Sequence, residues 1–270
     1  MRHTPLTSTT WSYLLMAALT LVGLLAPHIA QPEAYHHFAD QRTLAGVPHF
    51  ADVVSNLIFT VAGAVGLSQL HRLPELMEGA RTPLAVFFVG LALTGLGSSY
   101  YHWAPTSQSL FWDRLPMVAA FAGIIGTFLT QRVSLRAGKA GMAWALGMGA
   151  AGLATSQVTG NLALYLTLQF GGLLGIVAGL CLLKRGPDTF PWWPLLGWYA
   201  LAKMLELGDT VVWDYTLRLV SGHTLKHLAA GMAGVAVVRL MASRSTRPSC
   251  HLVDNHGRTS CAPSTEAGRV

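Results

Sequence analysis

Eight apolar runs, each close to the length that crosses a bilayer, dominate this chain of 270 residues and restrict what it can fold into. A span needs about 20 mostly apolar residues to cross a hydrocarbon core of roughly 30 Å. The runs lie at about 11–30, 53–71, 84–103, 114–131, 141–157, 163–183, 192–213 and 222–242, and the stretches between them collect the Arg, Lys, Asp, Glu, Pro and His residues. Only 11% of the residues are charged and 52% are hydrophobic, against roughly one quarter charged in soluble domains. Strands of a transmembrane barrel would alternate apolar and polar positions over about ten residues, whereas these runs are long and apolar all round. The expected fold is therefore all-α: a polytopic membrane helix bundle with a seven-helix core and one additional N-terminal helix. The run at 141–157 is rich in Gly and Ala, a composition that lets helix backbones approach closely inside a bundle.

Three segments follow. Residues 1–34 carry the extra hydrophobic run, a span or signal anchor that follows Arg2; if it were cleaved as a secretory signal, seven helices would remain. Residues 35–242 hold the seven-helix domain. Residues 243–270 are rich in Ser, Thr, Arg, Pro and Gly and read as a disordered cytoplasmic tail. Cys181, Cys250 and Cys261 form neither a disulfide framework nor a CxxC metal pair.

The basic residues set the orientation. With the N-terminus inside, one face receives Arg2, Arg72, Arg81, Arg132, Arg136, Lys139, Lys184, Arg185 and the tail arginines from Arg239 on; the other receives Arg42, Arg114 and Arg218. The positive-inside rule then places both termini in the cytoplasm. The net charge of +6 is accounted for largely by topology, and no pattern for nucleic-acid binding is present.

Alternating the helices brings the end of the third run and the starts of the fourth and eighth to one membrane face, on the non-cytoplasmic side. Those ends carry Ser98 and His102, then Asp113, then His223 and His227. His223 and His227 are four residues apart and share a helix face. A catalytic zinc site takes three protein ligands and leaves the fourth position open, and His102 supplies the third imidazole. Ser98, four residues before His102, is placed to donate to a developing oxyanion. Asp113 is placed to move protons.

Each residue also has a plainer reading. Asp113 suits a helix N-cap, and an HxxxH pair also serves packing or haem ligation. Ser98 and His102 form a possible nucleophile–base dyad, although their spacing aims it poorly. Lys203, Glu206 and Asp209 stand at i, i+3 and i+6 of the seventh run, where Lys203 and Glu206 suit an ion pair and Asp209 is a candidate for the polar cavity.

Taken together, Ser98-x-x-x-His102, Asp113 and His223-x-x-x-His227 on successive helix ends resemble the alkaline ceramidases and the wider superfamily of membrane hydrolases that includes the adiponectin receptors. Asp52-Val53-Val54-Ser55-Asn56-Leu57-Ile58-Phe59 resembles the segment that opens the first core helix of that family, and the likeness spans about residues 35 to 242. It implies a seven-helix hydrolase in which His102, His223 and His227 bind Zn2+, Asp113 handles protons and Ser98 stabilises the transition state. The substrate would be the amide bond of a ceramide-like lipid arriving from the bilayer, cleaved to a sphingoid base and a fatty acid. The alternative is a lipid-sensing receptor-like or channel-like membrane protein with a structural metal site. Eukaryotic members have an acidic, calcium-binding N-terminal segment ending in a glutamate; His49 stands near that place, and Glu33, Asp40 and Asp52 do not reproduce the pattern.

Overall fold

The computed structural model describes residues 7–73, 75–183 and 190–242, together with the backbone of 252–253 and 259–260. The bundle is built from α1 (Ser8–Leu25), α2 (Phe50–Ser55), α3 (Leu57–Ser68), α4 (Arg81–Trp103), α5 (Ser107–Arg132) and α6 (Leu135–Thr159). It continues with α7 (Ala163–Leu166), a π-turn (Thr167–Gly171), α8 (Gly172–Leu182), α9 (Trp192–Leu207), α10 (Asp209–Tyr215) and α11 (Gly222–Ala242). Among the described residues, the only strands are a two-residue antiparallel pair in the tail, Leu252–Val253 against Thr259–Ser260; the rest of the tail lies outside the described residues.

All eight apolar runs are helical. Six of the resulting segments are long and apolar enough to cross a membrane; α6 and the 16-residue α9 complete the bundle without meeting that measure. The chain is an all-α polytopic bundle. Helices α3, α4, α5 and α6 pack in succession, α11 lies against α3 and α9, and α7 and α8 lean on α6 and α5. Helix α1 sits outside, against α6 and α7. The Gly- and Ala-rich reading of α6 holds: Ala137, Gly138, Gly141, Ala145, Gly149 and Gly152 form its buried stripe.

Three runs are broken, each near the site. Asn56 separates α2 from α3 and its Nδ2 donates to the Asp52 carbonyl at 2.8 Å, taking up an acceptor that the break leaves free. Gly208 ends α9, so Asp209 opens a short separate helix instead of continuing the seventh span. The π-turn interrupts the sixth. The segments joining α1 to α2, α4 to α5, α6 to α7 and α10 to α11 meet at one end of the bundle. There Leu162 N–H donates to Ile29 at 2.8 Å, Gln157 reaches Ser107 and Arg42 reaches Leu219.

Candidate metal centre

Two local devices bring α4 and α5 together where the site forms. Pro116, inside α5, has no N–H to offer the Trp112 carbonyl four residues back. That free carbonyl packs on Gly97, where a Cβ would stand only 2.1 Å from it. The close approach sets the next residue of each helix side by side, and the Ser98 hydroxyl interacts with the Asp113 carboxylate. Asp113 is not an N-cap: the cap is Thr106, which forms a reciprocal capping box with Ser109, and Asp113 lies in the second turn. Both Ser98 and Asp113 are buried.

Helix α11 brings the two remaining histidines. Its first turn is fixed from three sides. The Ser221 hydroxyl accepts from Thr224 N–H at 2.9 Å as a cap. Thr224 Oγ1 donates to the buried Asp52 Oδ1 at 2.6 Å. Asp209 Oδ1 accepts from His223 N–H at 2.7 Å while its Oδ2 accepts from Ala39 N–H at 2.9 Å. Asp209 therefore does not face the cavity; it ties the start of α11 to the loop before α2. Gly222 lets this turn approach α9, since a Cβ there would meet the Leu205 carbonyl at 2.4 Å.

His102, His223 and His227 converge. All three are buried, at 1%, 4% and 3% exposure, and one ligating nitrogen from each lies within 4.8 Å of the others. The Nε2 atoms of His102 and His223 are 3.3 Å apart. Two nitrogens bound to one tetrahedral ion at about 2.0–2.1 Å stand roughly 3.3–3.4 Å from each other, so the pair already has the spacing of ligands to a common metal.

The hydrogen bonding of His227 fixes its tautomer. The Ser55 hydroxyl has a single hydrogen, donated to the Asp52 carbonyl at 3.0 Å, so its oxygen accepts from His227 Nδ1–H at 2.8 Å. The lone pair of His227 is then on Nε2, as a ligand requires. On His102, Nε2 faces only another imidazole and Nδ1 is buried without a partner among the described residues. Protein groups alone leave this cluster incompletely satisfied, and the residues fit a bound cation. They do not fit haem: ring centroids 4.8–5.0 Å apart leave no slot for a macrocycle between two imidazoles. Nor is His102 paired with Ser98 as a base.

The outward face of the cluster is closed by the loop between α1 and α2. Phe38, itself buried, stacks at 4.6 Å from the His102 ring and 4.5 Å from His223. His49 adopts φ +45°, uncommon for a residue with a side chain, and its Nδ1–H donates to the His102 carbonyl at 2.9 Å. Asp40 and Arg42 pair at 2.6 Å, and Arg42 also reaches the Leu219 carbonyl at 3.0 Å. Burial works to raise the Asp40 carboxyl, but the Arg42 hydrogen bonds outweigh it and leave the group below its ordinary value.

From inside the bundle the cluster meets, through His227, a cavity of about 220 Å³ that Ser98 and Asp113 also line, together with apolar residues of α4, α5, α8 and α9. Lys203 and Glu206 are ion-paired, as their spacing predicts, and Lys226 joins them at 2.7 Å from Glu206. All three line the cavity. The roles of Ser55, Asp209, Phe38 and Lys226 escape a reading by residue type. Ser55 had a signal in its place in the Ser-Asn-Leu stretch, and Asp209 and Lys226 had one as ionisable residues of apolar runs, but Phe38 had none. His28 is exposed, bonds to the Thr159 carbonyl and is not part of the cluster. No known family model and no curated protein matches the chain.

Proposed function

We propose that this chain is a zinc-dependent amidase of membrane lipids, of the alkaline ceramidase type. The observation that carries this reading is the convergence of three buried imidazoles with Ser98 and Asp113 at the closed end of an apolar cavity inside a membrane bundle. Zinc is the ion favoured by a neutral, all-imidazole set of three. Held by His102, His223 and His227, it would supply Lewis acidity to an amide carbonyl and acidify water near neutral pH.

The other steps belong to the protein. The acyl chain lies in the apolar cavity and presents its amide to the histidine end. Ser98 O–H donates to the carbonyl oxygen as that oxygen gains charge. The Asp113 carboxylate takes a proton from the attacking water and returns it to the amide nitrogen, so that the C–N bond breaks to give a carboxylic acid and a free amine. Phe38 and the loop around it keep bulk water from the outward side. Helix α9 packs on α11, while α8 packs on α5. Between the π-turn and α9, Gln169 Nε2–H donates to Tyr199 Oη at 2.6 Å, and both residues line the cavity. The ceramide-like substrate, and the placement of both termini in the cytoplasm with the metal facing away from it, rest on the resemblance and on the distribution of basic residues.

Elemental analysis of detergent-purified protein, alongside hydrolysis of a panel of lipid amides, tests the proposal. About one zinc per chain, lost in His223→Ala together with amide cleavage, is the expected result. Zinc present with lipid binding and no turnover across the panel would favour the receptor-like alternative. No metal in either protein would overturn the assignment.

A further inference from the structure

We infer that the cavity recognises a carboxylate next to the scissile amide, so that its substrate class is the N-acylated amino acids, held by Lys226 and Arg114. This inference rests on the amidase reading of the same cavity and replaces its ceramide-like substrate with an acidic one.

The cavity wall carries three cations, Arg114, Lys203 and Lys226, against two carboxylates, Asp113 and Glu206. Glu206 is already occupied: it binds both lysines and accepts from Tyr35 O–H at 3.3 Å. The two ammonium groups beside it disfavour a cationic head group there. The cations are less well matched. A lysine has three donors and an arginine five. Among the described residues Lys226 makes one hydrogen bond, to Glu206. Arg114 makes one, to Gln31 Oε1 at 2.6 Å, and has no carboxylate within ion-pairing distance among the described residues. Its guanidinium instead lies over the Tyr35 and Tyr165 rings, at 5.6 and 5.1 Å. An ionisable group inside a membrane bundle is costly unless it is paired, and here the unpaired surplus is positive and directed at a ligand space.

Position makes the match specific. Lys226 follows His223 by three residues on α11, and it lines the cavity together with its neighbour His227. An anion on its ammonium therefore shares the cavity with a group held beside His227. Arg114 adjoins Asp113 and presents a planar fork suited to a carboxylate. In an N-acyl amino acid one carbon separates the amide nitrogen from the carboxylate. Such a ligand reaches Lys226 and Arg114 while its carbonyl faces Ser98 and its acyl chain occupies the apolar end. A neutral diol or ethanolamine head leaves the surplus charge unanswered.

The test is equilibrium binding of radiolabelled N-oleoylglycine to the purified full-length protein in detergent, with N-oleoylethanolamine, its uncharged counterpart, as competitor. The glycine lipid is expected to bind at least about tenfold more tightly. Lys226→Met and Arg114→Gln, the second preserving an amide partner for Gln31, should each narrow that gap. Equal affinity for the two lipids, or a gap unchanged in a folded Arg114→Gln protein, overturns the inference. So does free oleate binding more tightly than N-oleoylglycine through Lys226, which would make the subsite one for the acid product. Binding needs no turnover, so failure here leaves the amidase reading standing. Tight binding of N-oleoylglycine without its hydrolysis would count against amide cleavage alone.

Discussion

Helix α1 is the more apolar of the two helices by mean hydropathy, yet only 11% of its spanning window is buried; α5 is the less apolar, and 61% of its window is buried. In a soluble protein the order would be reversed. With lipid as the solvent, apolar surface needs no burial, and what must turn inward is polar groups and small residues that allow close packing. The more hydrophobic helix of the two is therefore the peripheral one, and Asp113 belongs to the one with the greater buried share. If this contrast reflects function, changes on α4, α5 and α11 should be severe and changes on α1 slight.

The largest effects separate two kinds of loss. His102→Ala, His223→Ala and His227→Ala should each remove most bound metal, measured by elemental analysis. Asp113→Asn should keep the metal and lower kcat by about 10² to 10⁴. An Asp113→Asn protein without metal would make the carboxylate a ligand or a folding determinant and break the division of roles. Next in size is Ser98→Ala. Loss of one oxyanion donor costs about 10² to 10³ in kcat and should leave metal content unchanged; complete inactivity would instead revive Ser98 as nucleophile.

Ser55→Ala should be milder. Removing the acceptor of His227 Nδ1–H frees the ring to adopt the wrong tautomer, and outer-shell partners of this kind are worth about 10- to 100-fold in metal affinity. Competition with a chelator measures it. An unchanged affinity would mean that packing alone, including Phe59 at 6.1 Å from the His227 ring, orients the imidazole.

These residues also mark how far the sequence could be read. The apolar runs specified the bundle because lipid permits few other solutions, and helical spacing with alternation was enough to bring His102, His223 and His227 to one end. Side chains that act through backbone breaks were not legible. Ser55 reaches His227 because α2 stops at Asn56, and Asp209 caps α11 because α9 stops at Gly208; hydropathy passes through both positions without a signal. Asp113 looked like a possible N-cap because the apolar run starts near it, whereas the helix begins earlier with the polar turn Thr106–Ser109, which hydropathy assigns to a loop. Lys226 could be recognised as a charge inside a span, but its partner on α9 is a long-range contact that no local pattern encodes.

The smallest expected effect is the sharpest check on the contrast. Helix α1 touches the bundle through few polar contacts, chiefly Trp144 Nε1–H donating to Thr20 Oγ1 at 2.9 Å, and through Gly23 set against Leu164. Interhelical hydrogen bonds in lipid average about 0.6 kcal/mol, so Thr20→Ala should lower Tm only slightly. Cutting the purified protein at a protease site introduced at Ala26, then washing α1 away, should leave bound metal unchanged. The loop over the histidines has its own anchors on the bundle, at Asp209, Leu219 and Tyr101, none of them on α1. Loss of metal after the cut would show that those anchors depend on α1 holding the chain just before the loop, and that α1, the least buried of the six spans, is part of the unit that holds the metal.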